Sequence, residues 1–323
     1  MDTVTPELTA IIVSWNRCAD LRVLLESLGR QDYPNLRVVV VDNGSTDGTE
    51  QMLSTWPTPL TYYACPRNEG AAAARNIGLA LSRDTEYVAF LDSDAELLAP
   101  DTLTALVRRL EDNPAVVAVA PAIYKDSACT ELWLLGAYAD KDYYLDYGRC
   151  LTDSANPDFL STCVSVWRAR PVCDSGGFDP AYPFGFEDFD LCDRIRRKTG
   201  MEFEVVPAIK AVHHLSDEGR PRTYDTWQHQ LYVEVVTQRH RVLTWGFWGY
   251  LRASMRQGFT PGGRRMLRRL HGGFAFGFWR ESYLWYCVPV LSLLRLQRYR
   301  RETAASAWID HVALREDRLH HIS

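Results

Sequence analysis

No two of the eight cysteines in this 323-residue chain are spaced as CxxC. That spacing argues against a zinc ribbon and a small disulfide scaffold; reduced thiols in a cytosol are the simpler expectation. No GxGxxG follows the first apolar run, and GxxxxGK[ST] occurs nowhere, which disfavours the dinucleotide and P-loop modes of phosphate binding. The first ten residues, MDTVTPELTA, lack a basic and an apolar region and do not read as a signal peptide. A clean membrane span is missing too. The nearest stretch, GGFAFGFWRESYLWYCVPVLSLL from Gly272, carries Arg280 and Glu281 near its middle. Each costs roughly 2.5–3.5 kcal/mol at a bilayer centre, and the apolar part after Ser282 is too short to span. This segment is expected to lie on a surface. Lysine is absent from Arg241 to Arg301, where twelve Arg face a single acid, Glu281. Residues 1–240 carry 22 basic and 36 acidic residues, so an acidic body precedes a basic, aromatic segment. There is no internal repeat and no low-complexity tract.

What is present is ordinary in bulk: 46% hydrophobic and 24% charged residues, enough for one large core or two modest ones. The patterning is more specific. LTAIIVS (residues 8–14) and LRVVVVD (36–42) are continuous apolar runs, as in buried parallel strands. Between them Leu21, Leu24, Leu25 and Leu28 recur at helical spacing. LTYYAC, TEYVAFLD and AVVAVAP continue the strands. STDGTEQMLSTW, with Ser45 or Thr46 as N-cap, NEGAAAARNIGLALS, and PDTLTALVRRLEDN, opened by Pro100, supply the helices. Alternation of this kind predicts βαβ units in a mostly parallel sheet, with ligands at the carboxyl ends of the strands. The residues just past those ends are polar or acidic: Ser14–Asn16, Asp42–Ser45 and Asp92–Asp94. From about Ile123 to Asp158 the pattern loosens into a loop or hairpin region rich in Tyr and Gly.

Two acidic groups need a reason. Asp92 and Asp94 follow an apolar strand at i and i+2 and suit a hard divalent cation that keeps positions open for phosphate; a solvated turn is the plain alternative. Further on, PFGFEDFDLCDRIRRKTG places Glu187, Asp188, Asp190 and Asp193 within seven positions, beside Phe184, Phe186 and Phe189. Like charges in aromatic surroundings cost stability unless a cation or a reaction uses them. Here the plain alternative is a helix surface on which Asp193 pairs with Arg197 at i,i+4.

Read in order, VSWNR, VVVVDNGSTDGT, RNEGAAAARNIGLA, FLDSDAEL and GGFD…FGFEDFDLCDR resemble the family 2 inverting glycosyltransferases, in their rhamnosyltransferase-like branch. The resemblance covers roughly residues 8–220. It implies the GT-A nucleotide-diphospho-sugar transferase fold, an α/β architecture with a mostly parallel central sheet flanked by helices. A catalytic domain over 1–222 is expected, with a nucleotide-binding half at about 1–121 and an acceptor half at about 122–222. A basic, mainly helical C-terminal region follows over 223–323.

The resemblance also distributes roles. Asp42 matches the residue that accepts a hydrogen bond from the nucleotide base. Trp15 and Asn16 line the same pocket, and Asn68, Gly70 and Arg75 belong to the nucleotide side. Asp92 and Asp94, with Ser93 between them, match the metal-binding DxD of a Mn2+ or Mg2+ enzyme, Asp94 directly and Asp92 through ribose or water. His213, or alternatively His214, is the third ligand. Asp188 is the general base for the acceptor hydroxyl and Glu187 shapes the site or binds the acceptor, while Asp190 and Asp193 serve helix charge and surface pairing. The implied donor is a dTDP- or UDP-sugar, with rhamnose suggested by the branch. The implied acceptor is a glycan or polyprenyl-diphosphate-linked glycan of bacterial surface or exopolysaccharide synthesis.

Two rivals share the pattern. A sugar nucleotidyltransferase should carry a Gly-rich activating loop after the first strand, and VSWNRCADL has none. A non-catalytic sugar-nucleotide-binding scaffold should have lost a chemistry-bearing motif, and each is intact. For the C-terminal region, Arg264, Arg265, Arg268 and Arg269 share one helical face, which suits an anionic membrane surface at the cytoplasmic side. Packing on the catalytic domain or across a homodimer is the alternative. Nucleic acid is not expected as a partner, because the acidic body would repel it.

Overall fold

The computed structural model describes residues 5–139, 145–146, 156–182, 185–218, 227–257 and 308–322. The chain forms two units, one of Met1–Ala139, Leu145–Arg220 and Ala307–Ser323, the other of Asp140–Tyr144 and Pro221–Ser306. Phe184, the Arg264–Arg269 face and the aromatic stretch from Gly272 lie outside the described residues.

In the first unit, β1 (Leu8–Ser14), β2 (Leu36–Asp42), β3 (Leu60–Ala64) and β4 (Tyr87–Asp92) are the apolar runs seen in the sequence. They pair in parallel in the order β3-β2-β1-β4. The helices α1 (Cys18–Gly29), α2 (Thr49–Ser54), α3 (Ala71–Ala80) and α4 (Thr102–Asp112) connect and flank them. α1 buries Leu21, Leu24, Leu25 and Leu28, the stripe its periodicity predicts. α2 starts later than Ser45 or Thr46: Gly48 precedes it, and the Asp47 carboxylate accepts from the Thr49 N–H and hydroxyl. α3 packs unusually close to the sheet, because a Cβ on Gly78 would overlap the Ile11 side chain.

Beyond β4 the sheet becomes mixed. β5 (Ala95–Leu97), β6 (Val116–Tyr124), β7 (Leu132–Leu134), β10 (Val164–Arg168) and β11 (Glu202–His213) complete it, and β8 (Tyr138–Ala139) and β9 (Leu145–Asp146) form a separate pair. β10 runs antiparallel between β4 and β6, while β6 and β11 are parallel. The mostly parallel sheet that was expected is parallel through β3-β2-β1-β4 and between β6 and β11, with β10 as the antiparallel strand between those two parts. Apolar runs mark strands but not their direction. After β10 come α5 (Ala169–Asp174) and α6 (Glu187–Thr199).

The last strand, β12 (Leu319–Ile322), pairs antiparallel with β3 at the sheet edge. The boundary expected at 222/223 leaves these residues with the C-terminal region; in the structure they return to the first unit. In the second unit the described helix α7 (Trp227–Gln257) is broken at Gly246, whose φ of 65° and ψ of −177° are not helical. No helix among the described residues is long and apolar enough to cross a membrane.

Candidate active site

Strand register gathers the site. Ser14 aligns with Asp42 and Val13 with Asp92, so β1, β2 and β4 end at one level. Behind β2, Asn16 and Asp42 shape a loop. Asp42 is buried and accepts from the Ser45 N–H at 3.0 Å. Burial raises its pKa against the opposing Ser45 hydrogen bonds. The Asn16 carboxamide accepts from the Thr46 N–H at 2.8 Å, so this residue pins one strand-end loop to the next. Gly44, at φ 80°, lies so close to Arg67 that a Cβ would meet its backbone at 2.6 Å. Asn43 donates to the Asn68 carboxamide, which also accepts from the Gly70 N–H that opens α3. Trp15 stands half-buried at the same strand end. Asp42, Asn16, Asn68 and Gly70 therefore belong to one continuous loop surface.

The acidic pair sits at the turn from β4 to β5. Ser93 is buried, Asp94 is wholly buried, and the Asp92 side chain keeps 28% exposure. β5 pairs antiparallel with β11, and that pairing puts His213 opposite Ala95, beside the pair. His213 Nε2 lies 3.1 Å from Asp94 Oδ1 and 3.7 Å from Asp92 Oδ2. One ligand atom from each of Asp92, Asp94 and His213 falls within 4.8 Å of the others. His214 turns the other way and meets Glu96 at 3.2 Å. Burial alone would raise the Asp94 pKa, but the His213 ring, the Arg17 guanidinium and the Ser216 N–H outweigh it and hold it at about 2. A carboxylate whose charge is favoured in this way, with a second carboxylate and an imidazole, is a donor set that a divalent Mn2+ or Mg2+ ion fits.

Two neighbours of this cluster carried no role in the sequence. Arg17, just past β1 in VSWNR, reaches Asp94 at 2.9 Å and donates to the Ser216 and Glu218 carbonyls at 3.1 and 2.5 Å. Trp133 of β7 stands edge-on to His213, with ring centroids 4.6 Å apart. Arg17 lies within a quoted motif, and that was its only signal. Trp133 lies in the loosely patterned region and had none.

The other acidic group opens α6. Phe186 takes a left-handed φ of 76° just before the helix, and Glu187 and Asp188 form its first turn. Phe186 packs on Phe189 and Tyr182, which dries the surroundings. Burial and then the Glu187 charge push the Asp188 pKa up to about 8, against the pull of Arg75. Glu187 is buried and receives Arg75 Nη1 at 2.7 Å, while Arg75 Nη2 donates to Asp92 at 2.9 Å. Four carboxyls, Asp92, Asp94, Glu187 and Asp188, are thus gathered around Arg17 and Arg75. The remaining acids are structural. Asp193 pairs with Arg197 at 2.9 Å, as expected. Asp190 is buried rather than at the surface, and it holds Arg194 at 2.7 Å.

Comparison with known proteins identifies the domain that carries Asp42, Asp92 and Asp94. The model of glycosyl transferase family 2 matches residues 9–168. The succinoglycan biosynthesis protein ExoO of Rhizobium meliloti is 32% identical over 115 residues, 35% of this chain and 32% of its own. The pre-mycofactocin glycosyltransferase of Mycobacterium tuberculosis is 32% identical over 215 residues, 64% of this chain and 42% of its own. The matches thus span about a third to two-fifths of these relatives' lengths. Among solved structures, the mannosyltransferase PcManGT of Pyrobaculum calidifontis, in complex with GDP-Man and Mn2+, superposes with a TM-score of 0.52 at 21% identity, covering 97% of this chain and 77% of that one. TarS 1–349 of S. aureus with UDP-GlcNAc gives 0.53 at 18% identity, over 73% and 66%. These likenesses establish the GT-A fold, and through the matched domain the chain belongs to glycosyl transferase family 2.

Proposed function

We propose that this chain is a metal-dependent, inverting glycosyltransferase that moves a sugar from a nucleotide-diphosphate donor to an acceptor hydroxyl. The observation that carries the reading is two unlike acidic groups joined through Arg75: an Asp92–Asp94–His213 cluster in which Asp94 is kept ionised, and an Asp188 whose proton affinity is raised. Groups with opposed proton affinities suit a site that both holds charge and moves a proton.

In this reading Asp92, Asp94 and His213 hold Mn2+ or Mg2+, which when bound neutralises charge on the leaving diphosphate. Asp42 and the loop around Asn68 and Gly70 receive the nucleoside, with Trp15 beside it. Asp188 takes the proton of the acceptor hydroxyl as its oxygen bonds to the anomeric carbon and the bond to the diphosphate breaks. A single displacement inverts the anomeric centre, and no enzyme carboxylate bonds to the sugar. The donor class follows the sugar nucleotides named with PcManGT and TarS, a dTDP-, UDP- or GDP-linked sugar, with rhamnose one member. The acceptor is a glycan, free or carried on a polyprenyl diphosphate, which agrees with the polysaccharide role in the name of ExoO. The test is transfer from a panel of nucleotide sugars with Mn2+ or Mg2+, with the product's anomeric configuration read by NMR. Inversion and loss of activity in chelator are expected; retention, or full activity in chelator, overturns the proposal.

A further inference from the structure

Arg75 reaches the site from a direction that its sequence neighbours conceal. It is the second residue of ARNIG on α3 and is only 6% exposed. Its Nη1 meets Glu187 of α6 at 2.7 Å, and its Nη2 meets Asp92 at the end of β4 at 2.9 Å. The guanidinium carbon sits 5.5 Å from the Phe178 ring centroid. The support beneath it is rigid. Asn76, the next residue, donates to the Phe178 carbonyl at 2.7 Å and accepts its N–H at 2.8 Å. Gly78, one turn on, lets α3 press against Ile11 of β1. Both terminal nitrogens are therefore committed to carboxylates 95 residues apart in the chain.

We infer that Arg75 is a positioning residue, a strut that sets the spacing between the acidic pair of β4 and the Glu187–Asp188 turn of α6, and is not a nucleotide contact. The inference rests on the function proposed above, in which Asp92 helps to hold a cation and Asp188 takes a proton. A planar guanidinium presents donors in a fixed fork and can hold two carboxylates at a defined separation; an ammonium is a point charge on a flexible stem and cannot. Removing one member of a buried pair also leaves an uncompensated charge, which destabilises more than removing both.

The full chain is compared with Arg75→Lys, Arg75→Gln, Glu187→Gln and the Arg75→Gln/Glu187→Gln double variant. Urea midpoints are read first, in the absence of metal and nucleotide. A strut predicts non-additivity, with the double variant unfolding at higher urea than Arg75→Gln alone. Affinity for UDP, GDP and dTDP with Mn2+ is then read by calorimetry, and turnover of the matching nucleotide sugars is measured. Arg75→Lys should keep nucleotide affinity within about threefold and lose kcat by at least about 10²-fold, because charge is restored and the fork is not. Additive midpoints overturn the strut. So does a nucleotide affinity that falls tenfold or more while kcat is kept, or a kcat that lysine restores. A wild-type chain that binds neither Mn2+ nor any of the three nucleotides overturns the proposed function instead, and the urea cycle still decides the strut.

Discussion

Asp188 is held where its own charge is disfavoured. Burial and Glu187 raise its pKa to about 8, with Arg75 pulling the other way and Asp92 adding to the rise. A carboxyl whose folded pKa lies above its unfolded value keeps its proton in the native state when the unfolded chain has released it. Stability from this group is therefore full below about pH 4 and is lost as pH rises through about 8. Asp188→Asn removes that cost. The variant should melt above the wild type at pH 8 and near it at pH 4, while kcat falls by at least about 10²-fold. Wild-type kcat should itself rise with pH along a limb lying above the ordinary carboxylate range. An Asp188→Asn variant with wild-type kcat removes this residue as the base. The histidine pair offers a cleaner contrast, because His213 faces the carboxylates and His214 faces Glu96. His213→Ala should weaken Mn2+ binding, followed by electron paramagnetic resonance, at least about tenfold, roughly 1.4 kcal/mol. His214→Ala should change it by less than about threefold. Equal losses would mean that strand register does not select the ligand.

At the scale of elements, what the sequence reveals depends on how local the cause is. The runs of β1, β2 and β4 and the leucine stripe of α1 are set by neighbours a few residues away, and they were legible. So was the placing of polar residues at strand ends, from which Asp42, Asp92 and Asp94 were picked. His213 was favoured over His214 by the resemblance alone, and the physical cause of its place beside the acidic pair was not legible, because that place follows from the pairing of β11 with β5, more than 100 residues distant. The contact of Arg75 with Glu187, 112 positions on, was not legible either, because its motif says nothing of that residue. β12 is the extreme case: four residues at the end of the chain close the sheet edge. Leu319 joins the cluster of Val41, Tyr63 and Cys65; His320 stacks on Tyr62 at 4.4 Å, and His321 meets Thr61 at 3.0 Å. Cross-strand pairs of this kind contribute roughly 0.2–1 kcal/mol each, and the bare β3 edge would be open to other chains. Deleting residues 315–323 should lower Tm by roughly 4–8 °C, the effect of about 2 kcal/mol in a domain of this size, and should increase aggregation on heating. Because β3 leads into the loop that carries Asn68 and Gly70, nucleotide affinity should fall with it. An unchanged Tm would mean that this edge is indifferent to its last strand.

Charge divides the whole molecule unevenly, and an acidic body followed by twelve Arg between Arg241 and Arg301 calls for a partner for the positive part. In the second unit, the break of α7 at Gly246 leaves Phe247 42% and Trp248 74% exposed, their rings 4.9 Å apart. Arg252, one turn beyond Trp248, is exposed as well. A paired aromatic tip with a cation one turn away is the arrangement that settles at a headgroup boundary, with rings below and charge above. Each large apolar side chain taken out of water contributes ~1.5–3 kcal/mol, and each Arg near anionic headgroups ~1 kcal/mol. We propose that this helix of the second unit rests on an anionic membrane surface. In flotation with phosphatidylglycerol vesicles at low salt, the full chain should rise with the lipid and be released as salt screens the Arg contribution. Phe247→Ser/Trp248→Ser should weaken that binding at least about tenfold while leaving Tm unchanged. Neutral phosphatidylcholine vesicles should bind poorly. A chain that stays at the bottom of the gradient in low salt, or a double variant that floats like the wild type, would assign the aromatic tip to protein packing. In that case, concentration-dependent dimerisation measured by light scattering should disappear in the same variant.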